Sequence, residues 1–171
     1  MKIRTIFGCL CFFCLSVVSL MAQEDWVSVP AAAFTHADSQ YPYVLQGTAN
    51  GWGVKMNSSA WGTLVAPVYF PNADGKTVRN MMAIVEDASA TSKIIVTLFR
   101  VNEINGTHVA VFSVSSGEAE TYTGRTSLQD WAGTNRMIDN QYYSWWIHVH
   151  FSGSPLEEDQ VRLLWVRIKY E

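Results

Sequence analysis

The segment Tyr142–Phe151 carries the side chains best suited to chemistry. Successive side chains of a β-strand point to opposite faces, so this segment would present two different surfaces. One surface contains Tyr143, Trp145, Ile147, Val149 and Phe151, and the other contains Tyr142, Ser144, Trp146, His148 and His150. The first set predicts a core face. The second would form a platform for a sugar ring or another ligand with an apolar face. The alternative is that a loop covers Trp146 and the histidines lie on an ordinary polar face.

His148 and His150 also have the spacing at which two imidazoles on one strand converge on a metal ion. The remaining ligands would have to come from elsewhere in the chain: His36 or His108, with Glu157, Glu158 or Asp159 as oxygen donors. The gap from His150 to Glu157 is longer than in cupin-type jelly rolls, and no histidine follows it. We therefore predict no metal site and no cofactor. A metal-dependent jelly-roll enzyme is the least favoured alternative.

A second candidate site lies between residues 50 and 62, the most loop-like interior stretch. Trp52 and Trp61 flank a segment rich in Gly, Ser and Asn. Exposed indole rings stack on sugars while nearby amides and hydroxyls bond the sugar hydroxyl groups. Against this, Trp61 leads directly into an apolar run and could pack on a sheet edge instead.

Nothing in the sequence predicts an enzyme. The carboxylate pair of Glu86 and Asp87 would point to opposite faces of a strand, and residues 157–159 follow a proline in a predicted turn. The sequence contains no nucleophile elbow, zinc-protease helix or phosphate-binding glycine loop.

The first 22 residues read as a signal peptide. Lys2 and Arg4 precede an apolar run from Ile6 to Leu20, and Ala22 is a small residue at a cleavage position. All three cysteines lie inside this segment, which leaves residues 23–171 as one predicted cysteine-free domain. The prediction is a secreted or periplasmic bacterial protein with no membrane insertion after cleavage.

The charge of the predicted mature chain argues against polyanionic partners. Ten basic and 15 acidic residues follow position 22, which gives a net charge of −5, and they include no Lys/Arg cluster. Nucleic acid is therefore excluded as a partner.

The elements that would position these residues are strands. Apolar runs of strand length recur along the chain, separated by turn sequences such as Asn105-Gly106, which is typical of a hairpin. This spacing predicts an all-β, two-sheet antiparallel sandwich, jelly-roll-like, of about eight strands, with the first and last strands close together. The only helical signal is a capping-box pattern at Ser127–Asp130.

In the last predicted strand, alternation places Leu164, Val166, Ile168 and Tyr170 on one face. Leu163, Trp165, Arg167 and Lys169 fall on the other, where the Arg and Lys stems would cover the indole.

Several segments resemble a known group of proteins. They are Val29–Phe34, Ala66–Pro71, Leu98–Asn102, Ile138–Tyr143 and Val161–Tyr170. Together they resemble short secreted bacterial proteins with a jelly-roll-like β-sandwich and no assigned function. The resemblance implies the fold and the compartment, and it carries over no catalytic residue.

Two functional hypotheses remain open. The first is a secreted, non-catalytic binding module for carbohydrate or a cell-surface ligand, with Trp52, Trp61, Tyr142, Trp146 and His148 as its binding residues. It rests on the predicted export and on 19 aromatic residues after position 22. The second is a structural or self-assembling envelope protein, a homo-oligomer in which the same aromatic residues contact a second subunit.

Overall fold

The chain folds into two antiparallel β-sheets, and a computed structural model describes residues 25–37, 43–48, 51–56, 62–87, 89, 92–116, 125–130, 136–152 and 161–171. The first sheet has six strands: β1 (Asp25–Pro30), β3 (Tyr43–Thr48), β4 (Gly51–Met56), β6 (Val78–Asp87), β9 (Arg125–Asp130) and β11 (Val161–Tyr170). The second has five: β2 (Thr35–His36), β5 (Gly62–Val68), β7 (Lys93–Asn102), β8 (His108–Ser115) and β10 (Tyr143–Ser152). A 3-10 turn, Ala31–Ala33, joins β1 to β2.

Strands that are distant in sequence are neighbours in both sheets. The six-stranded sheet has the order β3-β4-β11-β6-β9, with β1 also paired to β11, and the five-stranded sheet has the order β2-β5-β10-β7-β8. Such crossing connections are typical of jelly rolls. The predicted two-sheet, jelly-roll-like sandwich is confirmed, and so is the proximity of the first and last strands, because β1 pairs with β11 from Asp25 opposite Tyr170 to Pro30 opposite Trp165.

The core lies between the sheets and is closed by aromatic side chains. The fully buried ring of Phe70 makes edge contacts with Trp145 of β10 and with Tyr170 of β11, at centroid distances of 5.4 Å and 5.3 Å. Phe70 therefore bridges the two sheets, and its edge-to-face geometry is favourable for aromatic pairs.

The hairpin predicted at Asn105-Gly106 is confirmed between β7 and β8. Gly106 has a φ of 69°, which a glycine adopts without steric cost. The side-chain carbonyl of Asn102 accepts hydrogen bonds from the backbone N–H groups of Ile104 and Asn105, at 2.9 Å and 3.2 Å. The turn is thus held by its own side chains.

Two local predictions are wrong. Ser127–Asp130 lies in β9 and pairs with β6, so sheet pairing overrides the capping-box signal. Residues 51–56, predicted as part of a loop, form β4, which pairs with β3 from Tyr43 opposite Met56 to Thr48 opposite Gly51. The described residues form eleven strands, against the predicted eight or so, and β4 and the two-residue β2 are among the additional ones.

The face assignment of β11 is also wrong at its start. A register shift between Leu163 and Trp165 places Leu163 in the core cluster, although strict alternation predicts the opposite face. Past this bulge, Val166 and Ile168 face the core, and Trp165 and Arg167 lie on the outer face, as predicted.

Candidate functional site

Strand β10 is the central strand of the five-stranded sheet, and its two faces differ as the sequence predicts. Trp145, Ile147 and Val149 are fully buried in the core. Trp146, His148 and His150 alternate with them, are half-buried, and therefore lie on the outer face. Tyr143, for which alternation predicts the core face, is only half-buried, and the guanidinium of Arg100 lies 4.2 Å from its ring centroid.

The neighbouring strands add rings to this outer face. Phe99 of β7 lies directly opposite Trp146 across the β7–β10 ladder. The phenyl ring of Phe99 is 4.7 Å from the imidazole of His148 and 5.6 Å from the imidazole of His108 on β8, measured between centroids. These four residues form a ring cluster that crosses three adjacent strands: Trp146, Phe99, His148 and His108.

The indole of Trp146 is fixed within the cluster. Its Nε1–H donates to Ser144 Oγ at 3.2 Å, two residues earlier on the same face. Pro67 of β5 is its cross-strand partner on the other side, so Trp146 lies between Pro67 and Phe99. An indole held in this way offers an ordered apolar surface.

Hydroxyl groups lie beside the rings toward the far end of β10. Thr63 Oγ1 is 3.3 Å from His150 Nδ1, and Thr97 Oγ1 is 3.1 Å from Ser113 Oγ. Thr97 is also the cross-strand partner of His148. The face therefore combines flat apolar surface at one end with hydrogen-bonding groups at the other, the two properties that a sugar ring needs from a binding site.

The environment of His148 favours its neutral form. Partial burial lowers the pKa of His148 below its ordinary value of 6.5, and the nearby His108 lowers it further. At neutral pH His148 is therefore an uncharged ring within the cluster.

Two solved structures share the fold of this sandwich. The CBM22-1 and GH10 modules of the Clostridium thermocellum endo-1,4-beta-D-xylanase 10B, complexed with xylohexaose, superimpose with a TM-score of 0.55 at 7% identity, over 86% of this chain and 28% of that one. A xylan-binding module, CBM15, superimposes with a TM-score of 0.50 at 12% identity, over 85% of this chain and 96% of that one. The likeness is one of fold. No protein-family profile and no curated protein sequence matches this chain.

The structure brings together only some of the predicted binding residues. Trp146 and His148 lie side by side in the ring cluster. Tyr142 precedes β10 in a turn and is 43% exposed, so strand alternation does not set its direction. The backbone of Trp52 lies in β4 of the other sheet, opposite Gly47, and not in a loop. Trp61 lies outside the described residues.

Sequence reasoning missed Phe99 and considered His108 only as a metal ligand. The signal for Phe99 is its two-residue spacing from Thr97 and Ile95 along β7, which places it on the face opposite the buried Ile94, Val96 and Leu98. His36 is the cross-strand partner of Leu64, whose side chain is in the core. The side chain of His36 therefore lies on the core face of the sheet, and that of His148 lies on the outer face. Within the described ranges, no group of three or more His, Cys, Asp or Glu side chains is arranged to hold a metal ion. The same part of the chain contains no helix long and apolar enough to cross a bilayer.

Proposed function

We propose that this protein is a non-catalytic carbohydrate-binding module that holds a glycan on the outer face of its five-stranded sheet. The observation that carries the proposal is the ring cluster, in which Trp146, Phe99 and two imidazoles form one continuous surface across three strands. The C–H faces of pyranose rings stack on such surfaces, and neighbouring hydroxyls and imidazoles bond the sugar hydroxyl groups.

The position of the cluster supports a chain-like ligand. Trp146, His148 and His150 follow one another along β10 at two-residue steps of about 6.6 Å, so a ligand lying along the strand would contact all of them. Thr63 and Thr97 flank this line on β5 and β7. The described residues facing outward along the middle of the sheet carry no carboxylate, which favours an uncharged glycan over a cationic one.

The two similar structures direct the first choice of ligand, because one is complexed with xylohexaose and the other is a xylan-binding module. Export, predicted from residues 1–22, would bring the protein to such polysaccharides. Neutral β-linked glycans are therefore the proposed ligand class, with xylan as the first to test.

The test is isothermal titration of the purified protein with xylohexaose, combined with a pull-down on insoluble polysaccharides. Replacing Trp146 or Phe99 by alanine removes stacking surface and should weaken binding by about tenfold or more. Trp26→Ala is the matched control, because Trp26 lies on β1 of the other sheet, and its affinity should equal that of the wild type. Failure to bind any glycan, or binding that both cluster variants retain in full, would overturn the proposal.

A further inference from the structure

A groove of about 920 Å³ lies on the six-stranded sheet and is lined by residues of β1, the 3-10 turn, β3 and β11, none of which belongs to the ring cluster. Its walls include Pro30, Ala31, Leu45, Leu164 and Trp165, with Arg167 beside them. Its size is in the range of small-molecule binding sites.

The groove exists because one edge of β11 has two different partners. β1 pairs with β11 only as far as Trp165, and β4 pairs with it at Leu163. At this point β1 ends at Pro30 and the chain turns away through the 3-10 turn. The sheet therefore has a gap between β1 and β4, which leaves this edge of β11 uncovered beside Leu164.

Arg167 places a fixed positive charge in this groove. Its guanidinium lies between two indoles, 4.8 Å from the ring centroid of Trp26 and 5.8 Å from that of Trp165. Its Nε is buried and has no hydrogen-bond partner in the described part of the chain. The two indoles hold the cation in place, which reduces the entropy lost when it binds an anion.

Two other arginines of this sheet, Arg162 and Arg79, differ from Arg167 because each has an acidic partner. Arg162 pairs with Glu86 at 3.3 Å, and Arg79 pairs with Glu171 at 2.7 Å. Among the ion pairs of the described residues, none involves Arg167. A half-buried cation without a counter-ion is costly, and the guanidinium fork matches a carboxylate.

We propose that this groove binds a small amphipathic carboxylate, with its charge on Arg167 and its apolar body along Leu45, Leu164 and Trp165. Leu45 is 39% exposed, which is apolar surface that a ligand would cover. A sugar acid fits poorly, because most of its hydroxyl groups would meet aliphatic walls and lose their hydrogen bonds to water. A dianionic phosphate fits less well than a carboxylate because Arg167 is the single cation among the described residues that line the groove.

The test is calorimetric titration with dodecanoate below its critical micelle concentration. Wild-type protein should bind one equivalent, and Arg167→Met, which keeps an apolar stem against the indoles, should weaken binding by about tenfold or more. Arg79→Met is the matched control, since it removes one positive charge from the same sheet outside the groove, and it should bind as the wild type does. Dodecanol should bind the wild type and Arg167→Met equally, because it lacks the charge.

Leu45→Glu provides a second variant for the case in which Arg167→Met does not fold. The exposed position tolerates the new side chain, and a negative charge in the apolar wall should repel dodecanoate and abolish its binding. D-glucuronate should not bind at the same concentration. The proposal is overturned if dodecanoate does not bind, if Arg167→Met or a folded Leu45→Glu binds it as tightly as the wild type, or if glucuronate binds equally well. Xylohexaose titrations of the same samples report on the other face independently.

Discussion

The imidazole of His148 lies against the phenyl ring of Phe99, with centroids 4.7 Å apart and ring planes inclined by 55°. Phe99 also contacts His108 at 5.6 Å, so one phenyl ring separates two imidazoles that come from different strands. Burial and the proximity of His108 both lower the pKa of His148. A proton on His148 would therefore be poorly solvated and close to a second group that can become positive.

This arrangement predicts a stability that decreases in mild acid. Because the folded-state pKa of His148 is lower than the unfolded-state value, its stabilising contribution is complete above pH 6.5 and is lost as the pH falls through the folded-state pKa. Urea denaturation at neutral pH and in mild acid should show a smaller decrease for His148→Gln than for the wild type. His150→Gln, on the same face, should keep the wild-type decrease because His148 is still present. An equal decrease in wild type and His148→Gln would contradict the assignment.

A second prediction concerns the buried carboxylate of Asp87 at the end of β6. Asp87 accepts hydrogen bonds from Ser116 Oγ and, at 3.1 Å, from the backbone N–H of Ser89, and Ser116 Oγ accepts one from the N–H of Ile94 at 3.1 Å. This network ties β6 of one sheet to β7 and β8 of the other. Asp87→Ala would leave buried donors without a partner and should lower the free energy of unfolding by about 2–4 kcal/mol.

Thermal and urea denaturation would measure this loss. Glu103→Ala is the control, because Glu103 is exposed in the β7–β8 turn, and its effect should stay within about 0.5 kcal/mol. An Asp87→Ala protein as stable as the control would show that the network contributes little.

A third prediction follows from the close approach of β4 to β11. A Cβ added at Gly53 would lie 2.9 Å from Leu164 Cδ2 and 3.3 Å from the carbonyl oxygen of Leu163. The carbonyl oxygen of Leu163 belongs to the backbone and cannot move aside as a side chain can. Gly53→Ala should therefore cost about 1–3 kcal/mol of stability. In a double-mutant cycle with Leu164→Ala, the two losses should be less than additive; strict additivity would mean that the two side chains do not collide.

The self-assembly hypothesis makes a fourth prediction, which concerns oligomeric state. If the ring cluster is an open ligand surface, light scattering after size-exclusion chromatography should give the monomer mass for both the wild type and Trp146→Ala. A larger wild-type species that Trp146→Ala converts to monomer would instead favour burial of the cluster against a second subunit. Quenching of tryptophan fluorescence should decrease when glycan is added if the ring cluster is an open ligand surface. It should stay the same if a second subunit already covers the cluster.

Much of the sandwich can be predicted from strand alternation. The runs that become β7, β10 and β11 are long and bounded by turn residues, and β10 (Tyr143–Ser152) lies within one residue of the predicted Tyr142–Phe151. The failures occur where non-local pairing decides. Ser127–Asp130 has the local chemistry of a helix start but pairs with β6, and the bulge in β11 exchanges the faces of Leu163 and Leu164. Alternation contains no information about where an extra residue will be inserted.

The candidate site is predictable only in part, for the same reason. Trp146 and His148 share one strand, so their common face follows from spacing alone. Phe99 and His108 are separated from them by tens of residues, and only the cross-strand register brings the four rings together. The groove at Arg167 depends on where β1 stops pairing with β11, which is a property of three strands and not of any one of them.

Because β1 pairs with β11, the first and last strands lie side by side, and the same strands could form the same sandwich when they are connected in a different order. With Asp25 opposite Tyr170, a short linker could join residues 25 and 171 without disturbing any strand pair. New ends could then be opened at the exposed Asn105-Gly106 turn, where the chain reverses at the protein surface. Such a circular permutant should keep the groove, which lies on other strands, whereas His108, two residues beyond the cut, is the member of the ring cluster that fraying of the opened hairpin would displace first.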